Sequence, residues 1–143
     1  MRILASFFVI GLVIICGCAS KHYTRGQGDA GQFILQHAVA FGGQPVSTNG
    51  LPAIGGDWQF IQDEYGIGIL LPASQFQTVQ DFVRAAFGPP SNTAGWSVRD
   101  FGVAIMVQKA GDMTSVGIYP PMSDDKMAAG IREMTKDMEK TTR

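Results

Sequence analysis

The sequence predicts an α+β domain: an antiparallel sheet of about four to five strands with two or three helices packed on it, behind an N-terminal segment of another kind. Three patterns carry this. Large apolar residues alternate with small or polar ones over 65–71, 101–107 and 114–119, the period of a strand that buries one face. Phe76, Val79, Phe82, Val83, Ala86 and Phe87 fall on one stripe at helical spacing. Met127, Ile131, Met134 and Met138 step by four, three and four, which draws a narrow apolar seam along a second helix.

Residues 1–18 belong to neither pattern. Arg2 is followed by an apolar run from Ile3 to Ile15, then by Cys16, Gly17 and Cys18. The run is short for a bilayer-spanning helix and has the layout of a secretory signal. The ending Ile15-Cys16-Gly17-Cys18 resembles a bacterial lipobox, with Gly17 at the cleavage site and Cys18 as the acceptor. Cys16 stands where that pattern usually has an aliphatic or small residue. The resemblance implies removal of residues 1–17, a diacylglycerol thioether on Cys18 and attachment to a membrane. Ala19, not Asp, follows the cysteine, which by the same resemblance implies outer-membrane delivery with the domain on the periplasmic face.

Cleavage there leaves 126 residues (143 less 17), one domain's worth. Ten Lys and Arg would then stand against 12 Asp and Glu, a side-chain charge of about −2 without charge blocks. Nucleic acid is not an expected partner, since no basic stripe is present to displace counterions. The only cysteines are Cys16 and Cys18. The mature domain therefore has no disulfide and no thiolate metal site.

Residues 18–31 are polar and glycine-rich and read as a flexible tether, with the domain occupying 32–143. Lys21, His22 and Arg25 in that tether serve solubility more readily than head-group binding. Phe33, Ile34, His37, Ala38 and Phe41 suit one face of a short helix, capped by Asp29 and ended by Gly42-Gly43. A strand is the alternative, given Phe33-Ile34-Leu35 and Val39. Residues 42–56 form a long loop of turn formers. Trp58 and Phe60 alternate with Gln59, Asp63-Glu64 makes a turn, and Tyr65, Ile67, Ile69 and Leu71 turn one face to the core. Gly66 and Gly68 lie on the opposite face, where tight packing of a helix or ring is the expected reason for glycine.

Ser74 is the expected N-cap of the Phe-rich helix, with Gln77 completing a capping box. Gly88 and Pro89-Pro90 stop it. Each phenylalanine on the stripe is worth about 2 to 3 kcal/mol of burial before entropy. Trp96 and Val98 read as strand residues before an Arg99-Asp100 turn, and Lys109 to Asp112 as the next turn. Ser123 caps the terminal helix, which has Asp124 and Asp125 early and Lys136 and Lys140 late. Gly130 lowers its intrinsic stability by about 1 kcal/mol relative to alanine.

The helix, Phe87-Gly88-Pro89-Pro90 and an aromatic-led segment from Trp96 resemble part of the SmpA/OmlA-type outer-membrane lipoprotein domain, over residues 78–119. That resemblance implies helices on a three-stranded antiparallel sheet and service to the machinery that inserts β-barrels. No binding residues carry over.

Catalytic chemistry is thin. His22 lies in the expected tether, and His37 reads as a helix-surface or core-edge residue. The motifs of a nucleophile elbow, a phosphate loop and a calcium loop are absent. A carboxylate pair would have to come from Asp57, Asp63, Glu64, Asp81, Asp100 or Asp112. The Met127, Met134 and Met138 thioethers could hold copper(I), but core packing is the commoner use of such a stripe. No cofactor is expected beyond the covalent lipid on Cys18. Trp58, Trp96 and Tyr119 are candidates for a binding surface and alternatively for capping the core. The expected role is a non-enzymatic binding or assembly module with an envelope protein as partner. The alternatives are an envelope enzyme or enzyme inhibitor acting on peptidoglycan, or a small-ligand or metal carrier.

Overall fold

The computed structural model describes residues 22–141. The leader 1–17, Cys18, the first residues of the expected tether and the side chain of Met138 lie outside the described residues. The elements are β1 (Thr24–Arg25), α1 (Ala30–Ala40), β2 (Gln59–Gln62), β3 (Ile67–Pro72), a 3-10 turn (Ala73–Gln75), α2 (Phe76–Phe87), α3 (Val98–Phe101), β4 (Ala104–Ala110), β5 (Met113–Tyr119) and α4 (Asp124–Thr141). The fold is α+β, as expected. Its sheet is antiparallel throughout, in the order β1-β2-β3-β5-β4. Five strands exceed the three of the SmpA/OmlA-type domain. No helix among the described residues is long and apolar enough to cross a membrane.

Both faces of the sheet are covered. Ile67, Ile69, Leu71, Ile105, Val116 and Ile118 point to one face and meet Ile34, Val79, Phe82, Val83 and Phe87 of α1 and α2. The other face carries Leu70, Ala104, Met106, Met113 and Tyr119, and α4 lies over it through Met127, Ile131 and Met134. The alternation in the sequence set the first face, and the methionine seam set the second.

The glycines of the second face explain how α4 docks. Gly68 of β3 pairs with Gly117 of β5. A Cβ at Gly68 would lie 3.2 Å from the Met134 sulfur, so the bare strand is where the helix settles. Gly130 has the same function from the helix side. A Cβ there would come within 2.7 Å of the Tyr65 Cβ. Its low helix propensity is thus offset by a close approach that alanine would block.

Several local expectations are corrected. The domain begins by Tyr23, not at Gln32. Arg25 pairs with Gln59, Asp29 caps α1, and Ala30 and Gly31 are buried. The glycines that resembled a linker make room for an aromatic ring. A Cβ at Gly26 would overlap the Trp58 indole, whose Nε1 donates to the Gly28 carbonyl at 3.0 Å. Residues 30–40 are helical, which decides against the strand alternative. Ser74 does not cap the Phe-rich helix. It lies in the 3-10 turn that Pro72 opens, and α2 starts at Phe76 without a side-chain cap. Phe76 is accordingly half-buried under the Lys109 ammonium, 5.1 Å from its ring centroid, while Phe82 and Phe87 are in the core. Gly88 ends the helix with φ +88° as expected. Trp96 makes only an isolated bridge to Ile105. Val98 opens the short helix α3 where a strand and an Arg99-Asp100 turn were expected. Ser97 has extended backbone and Gly102 closes that helix at φ +76°, so a helical turn fits between them.

The long loop 42–56 is strapped down. Gln44 N–H donates to the Phe101 carbonyl, Val46 N–H to that of Ala86, and Ala30 N–H to that of Ile54. The Asp29 carboxylate accepts from Gly31 N–H at 2.8 Å and from Ile54 N–H at 3.0 Å, so one side chain caps α1 and anchors the loop. Ile54 is fully buried.

Gly130→Ala gives a test of sign. Helix propensity alone predicts a gain of about 1 kcal/mol. The Tyr65 contact predicts a net loss of about 1 to 3 kcal/mol. Urea unfolding of the two proteins decides, with a lower midpoint expected for the variant.

Candidate functional site

The residues that sequence singled out do not converge. Trp58, Trp96 and Tyr119 are 4 %, 4 % and 3 % exposed. They cap the core, and Trp58 and Trp96 also reach the rims of two surface clefts. Their polar atoms are used internally. Trp96 Nε1 donates to the Gly88 carbonyl at 2.8 Å, and the Tyr119 hydroxyl donates to the Met134 sulfur at 3.4 Å. Trp58 stands beside Phe33, whose ring lies 4.8 Å away by centroids, and Phe33 also meets Phe60 at 4.7 Å and His37 at 4.0 Å. His37 is half-buried, and its Nδ1 lies 2.9 Å from the Phe33 carbonyl oxygen. It is a core-edge residue of α1.

The acidic residues are dispersed and mostly engaged. Asp63 Oδ1 accepts from the N–H groups of Tyr65 and Gly66 at 2.8 and 3.1 Å and closes the β2–β3 turn. Asp81 accepts from Gln77 one turn away. Asp57 pairs with Arg25 at 2.9 Å on the surface. Asp100 Oδ2 accepts from Ser91 and Ser97 hydroxyls, both at 2.7 Å. Those two bonds, the Ser91 bond first, hold its carboxyl below the usual carboxylate range. The sequence had not singled out Ser91 and Ser97. Their separation of six residues has no helical or strand meaning, and the clamp forms only because residues 91–97 loop back on α3. All three residues are solvent-facing or nearly so, and the clamp tethers a loop.

Concave surface is found on the methionine-bearing side of the sheet. One cleft of about 280 Å³ is lined by Arg25, Asp57, Trp58, Gln59, Leu70 and Met113. Arg25, Gln59 and Leu70 stand side by side across β1, β2 and β3, and Met113 comes from the start of β5. A second, of about 130 Å³, lies between the 92–97 loop, Ala104 and Met106 of β4, and Met127 and Ile131 of α4. The first offers an apolar floor with one cation and one carboxylate at its rim. Between them the two clefts hold a single carboxylate, Asp57, so no carboxylate pair faces a substrate in either.

Met106, Met113, Met122, Met127 and Met134 all belong to the cluster under α4. The copper(I) alternative drew on Met127, Met134 and Met138. The first two take part in packing α4 on the sheet. Among the described residues, no three His, Cys, Asp or Glu side chains come together as a metal site.

Compared with known proteins, the chain matches no family model, no curated protein and no solved structure.

Tyr119 gives the domain a pH limit. Burial, then the negative charge of Asp63 and the neighbouring Tyr23, push its hydroxyl far above the usual tyrosine range. The folded state thus keeps a proton that the unfolded chain loses above about pH 10. Stability from this group is intact below that pH and falls as pH rises beyond it. Tyr65 shifts the same way, chiefly through Glu64. Tyr119→Phe is expected to lessen the alkaline loss of stability without removing it. Thermal melts of both proteins between pH 8 and about 11 measure the difference.

Proposed function

We propose that this chain is a lipid-anchored envelope protein whose α+β domain is a non-enzymatic binding or assembly module. The carrying observation is the way the leader and the domain divide the chain. Arg2, the apolar run, Gly17 and Cys18 make a lipoprotein-type leader. Five residues later Tyr23 is already part of a domain whose sheet is covered on both faces by its own helices. The apolar run thus has a natural use outside the core.

The binding reading draws on the clefts. The larger one combines Leu70, Met113 and the Trp58 edge with the exposed Arg25–Asp57 pair. A shallow apolar floor with a charged rim suits a protein surface or an extended peptide. Met113 in its lining can adjust its rotamer to an irregular partner. A peptidoglycan enzyme would need two convergent acids, and the clefts present one. A small-ligand carrier would need a deeper cavity than about 280 Å³ of open cleft.

Cys18→Ser is expected to abolish incorporation of labelled palmitate, leave the precursor uncleaved and release the protein from membranes. Label retained by the variant would count against the anchor. For the binding role, a photo-crosslinker at Gln59 should capture a discrete envelope protein in intact cells, and one at Gln36 on the exposed side of α1 should not. Equal capture from both positions would remove the cleft from the reading.

A further inference from the structure

We infer that the domain stands on the bilayer by the end of the sheet that carries the β2–β3 turn, and holds the Arg25–Met113 cleft away from the membrane. The inference rests on lipidation of Cys18 and adds an orientation to it. It comes from strand direction and chain length.

β1 is antiparallel to β2, and β2 to β3, so β1 runs in the same direction as β3. β3 starts at the Asp63–Gly66 turn and ends at Pro72, beside Met113. The chain therefore enters the sheet from the turn end. Thr24 is level with Phe60 and Ile69, which puts Tyr23 one step nearer the turn. Tyr23 packs in the cluster that includes Tyr119 and Met134. The electrostatic influence of both Asp63 and Tyr23 on Tyr119 fits the same placement.

From Cys18 to Tyr23 there are five Cα steps. Fully extended they span about 17 Å. The opposite tip of the sheet is the β4–β5 turn at Gly111 and Asp112, beyond the Pro72 and Met113 pair. At about 3.4 Å per strand residue it lies about 20 Å from the level of Tyr23, in the direction away from the turn. To lay that tip on the bilayer, the link would have to reverse and exceed its own length. A tether of 14 residues, as composition alone suggested, would have left every orientation open.

The membrane-facing end so defined carries Asp63, Glu64 and Tyr65 in the turn, with Glu133 of α4 acting on Tyr65. Carboxylates here oppose tight adsorption to anionic lipid, and the acyl anchor must hold the domain close. The cleft-lining Arg25, Gln59 and Leu70 stand three strand positions from Gln62 and Ile67, and Met113 is two positions further on. The proposed recognition surface is thereby directed toward the periplasmic space.

The mature chain has no cysteine besides the acylated one, so single thiol probes are clean. Glu64→Cys and Asp112→Cys, both at exposed positions, are labelled with a fluorophore. Each lipidated protein is reconstituted in phosphatidylcholine vesicles doped with head-group spin-labelled lipid. Loss of emission is expected at position 64 and not at position 112. A flexible insertion of about twenty Gly and Ser residues before Tyr23 should restore emission at position 64. Equal quenching at both positions, or stronger quenching at 112, overturns the orientation and leaves the anchor standing. Protein that does not float with vesicles, and carries no acyl chain, overturns the anchor itself.

Discussion

The Gly68–Gly117 pair is the constraint on which the second half of the fold depends. Two glycines side by side on the central strands leave the sheet bare where the helix crosses. Tyr119 folds back over Gly117, its hydroxyl 2.6 Å from where a Cβ would stand. Met134 descends onto Gly68, and the Tyr119 hydroxyl donates to its sulfur. Side chains at either glycine would lift α4 from the sheet and uncover Leu70 and Ala104 beneath it. The cost of glycine in a strand interior, lost conformational entropy, is thereby exchanged for burial of a tyrosine ring and a methionine. The two faces of the sheet are consequently unlike: one is closed by aliphatic and phenyl side chains of two helices, the other by one helix on adaptable thioethers.

That asymmetry underlies the proposed recognition surface. The Ile, Val and Phe face is packed by stiff β-branched and aromatic groups and leaves little to rearrange. The methionine face has the two clefts and a helix with a narrow seam. Methionine rotates about three side-chain bonds and fills irregular gaps, so under the proposed binding role this face would adapt to partners of different contour without loss of the core beneath it. The charged rim of Arg25 and Asp57 contributes little to stability, since both are largely solvated. In the proposed binding role its use would be to orient a partner on the apolar floor.

Much of the fold was legible in the sequence because its signals were periodic. Ile67, Ile69 and Leu71, then Ile105 and Val107, then Val116 and Ile118, show the sheet face directly, and Phe82 and Phe87 show the helix that covers it. The methionine seam showed the helix on the other side. What was not legible came from pairings far apart in the chain. Gly26 and Gly28 looked like a linker by composition, and only Trp58, about thirty residues on, makes them structural. Asp29 was readable as a cap for α1, but its bond to Ile54 was not. Val98 read as a strand residue and Arg99-Asp100 as a turn. Gly102 and the bridge between Trp96 and Ile105 impose a helical turn there. The three aromatics singled out for a surface were conspicuous because they are large, and large apolar groups near strand ends are also what seals a core. Arg25 and Met113 gave no signal, since a cleft built across three strands has no spacing in sequence.

The start of the domain at Tyr23 joins these points. Composition assigns residues 18–31 to a tether because glycine and polar residues dominate it, and composition is what a flexible linker has. Yet the same glycines are required to bring backbone against the Trp58 ring, and the same Asp29 closes both a helix and a loop. The residues whose composition reads as a free linker are the ones that fasten the domain to the chain before it. A chain secured at Tyr23 behaves differently from one released at Gln32. Any constraint on its N-terminus is passed to the whole sheet, and a rigid sheet makes a fixed end into a fixed direction. Under the proposed lipid anchor, the indole ring that packs against Gly26 would set both the distance of the cleft from the bilayer and its outlook.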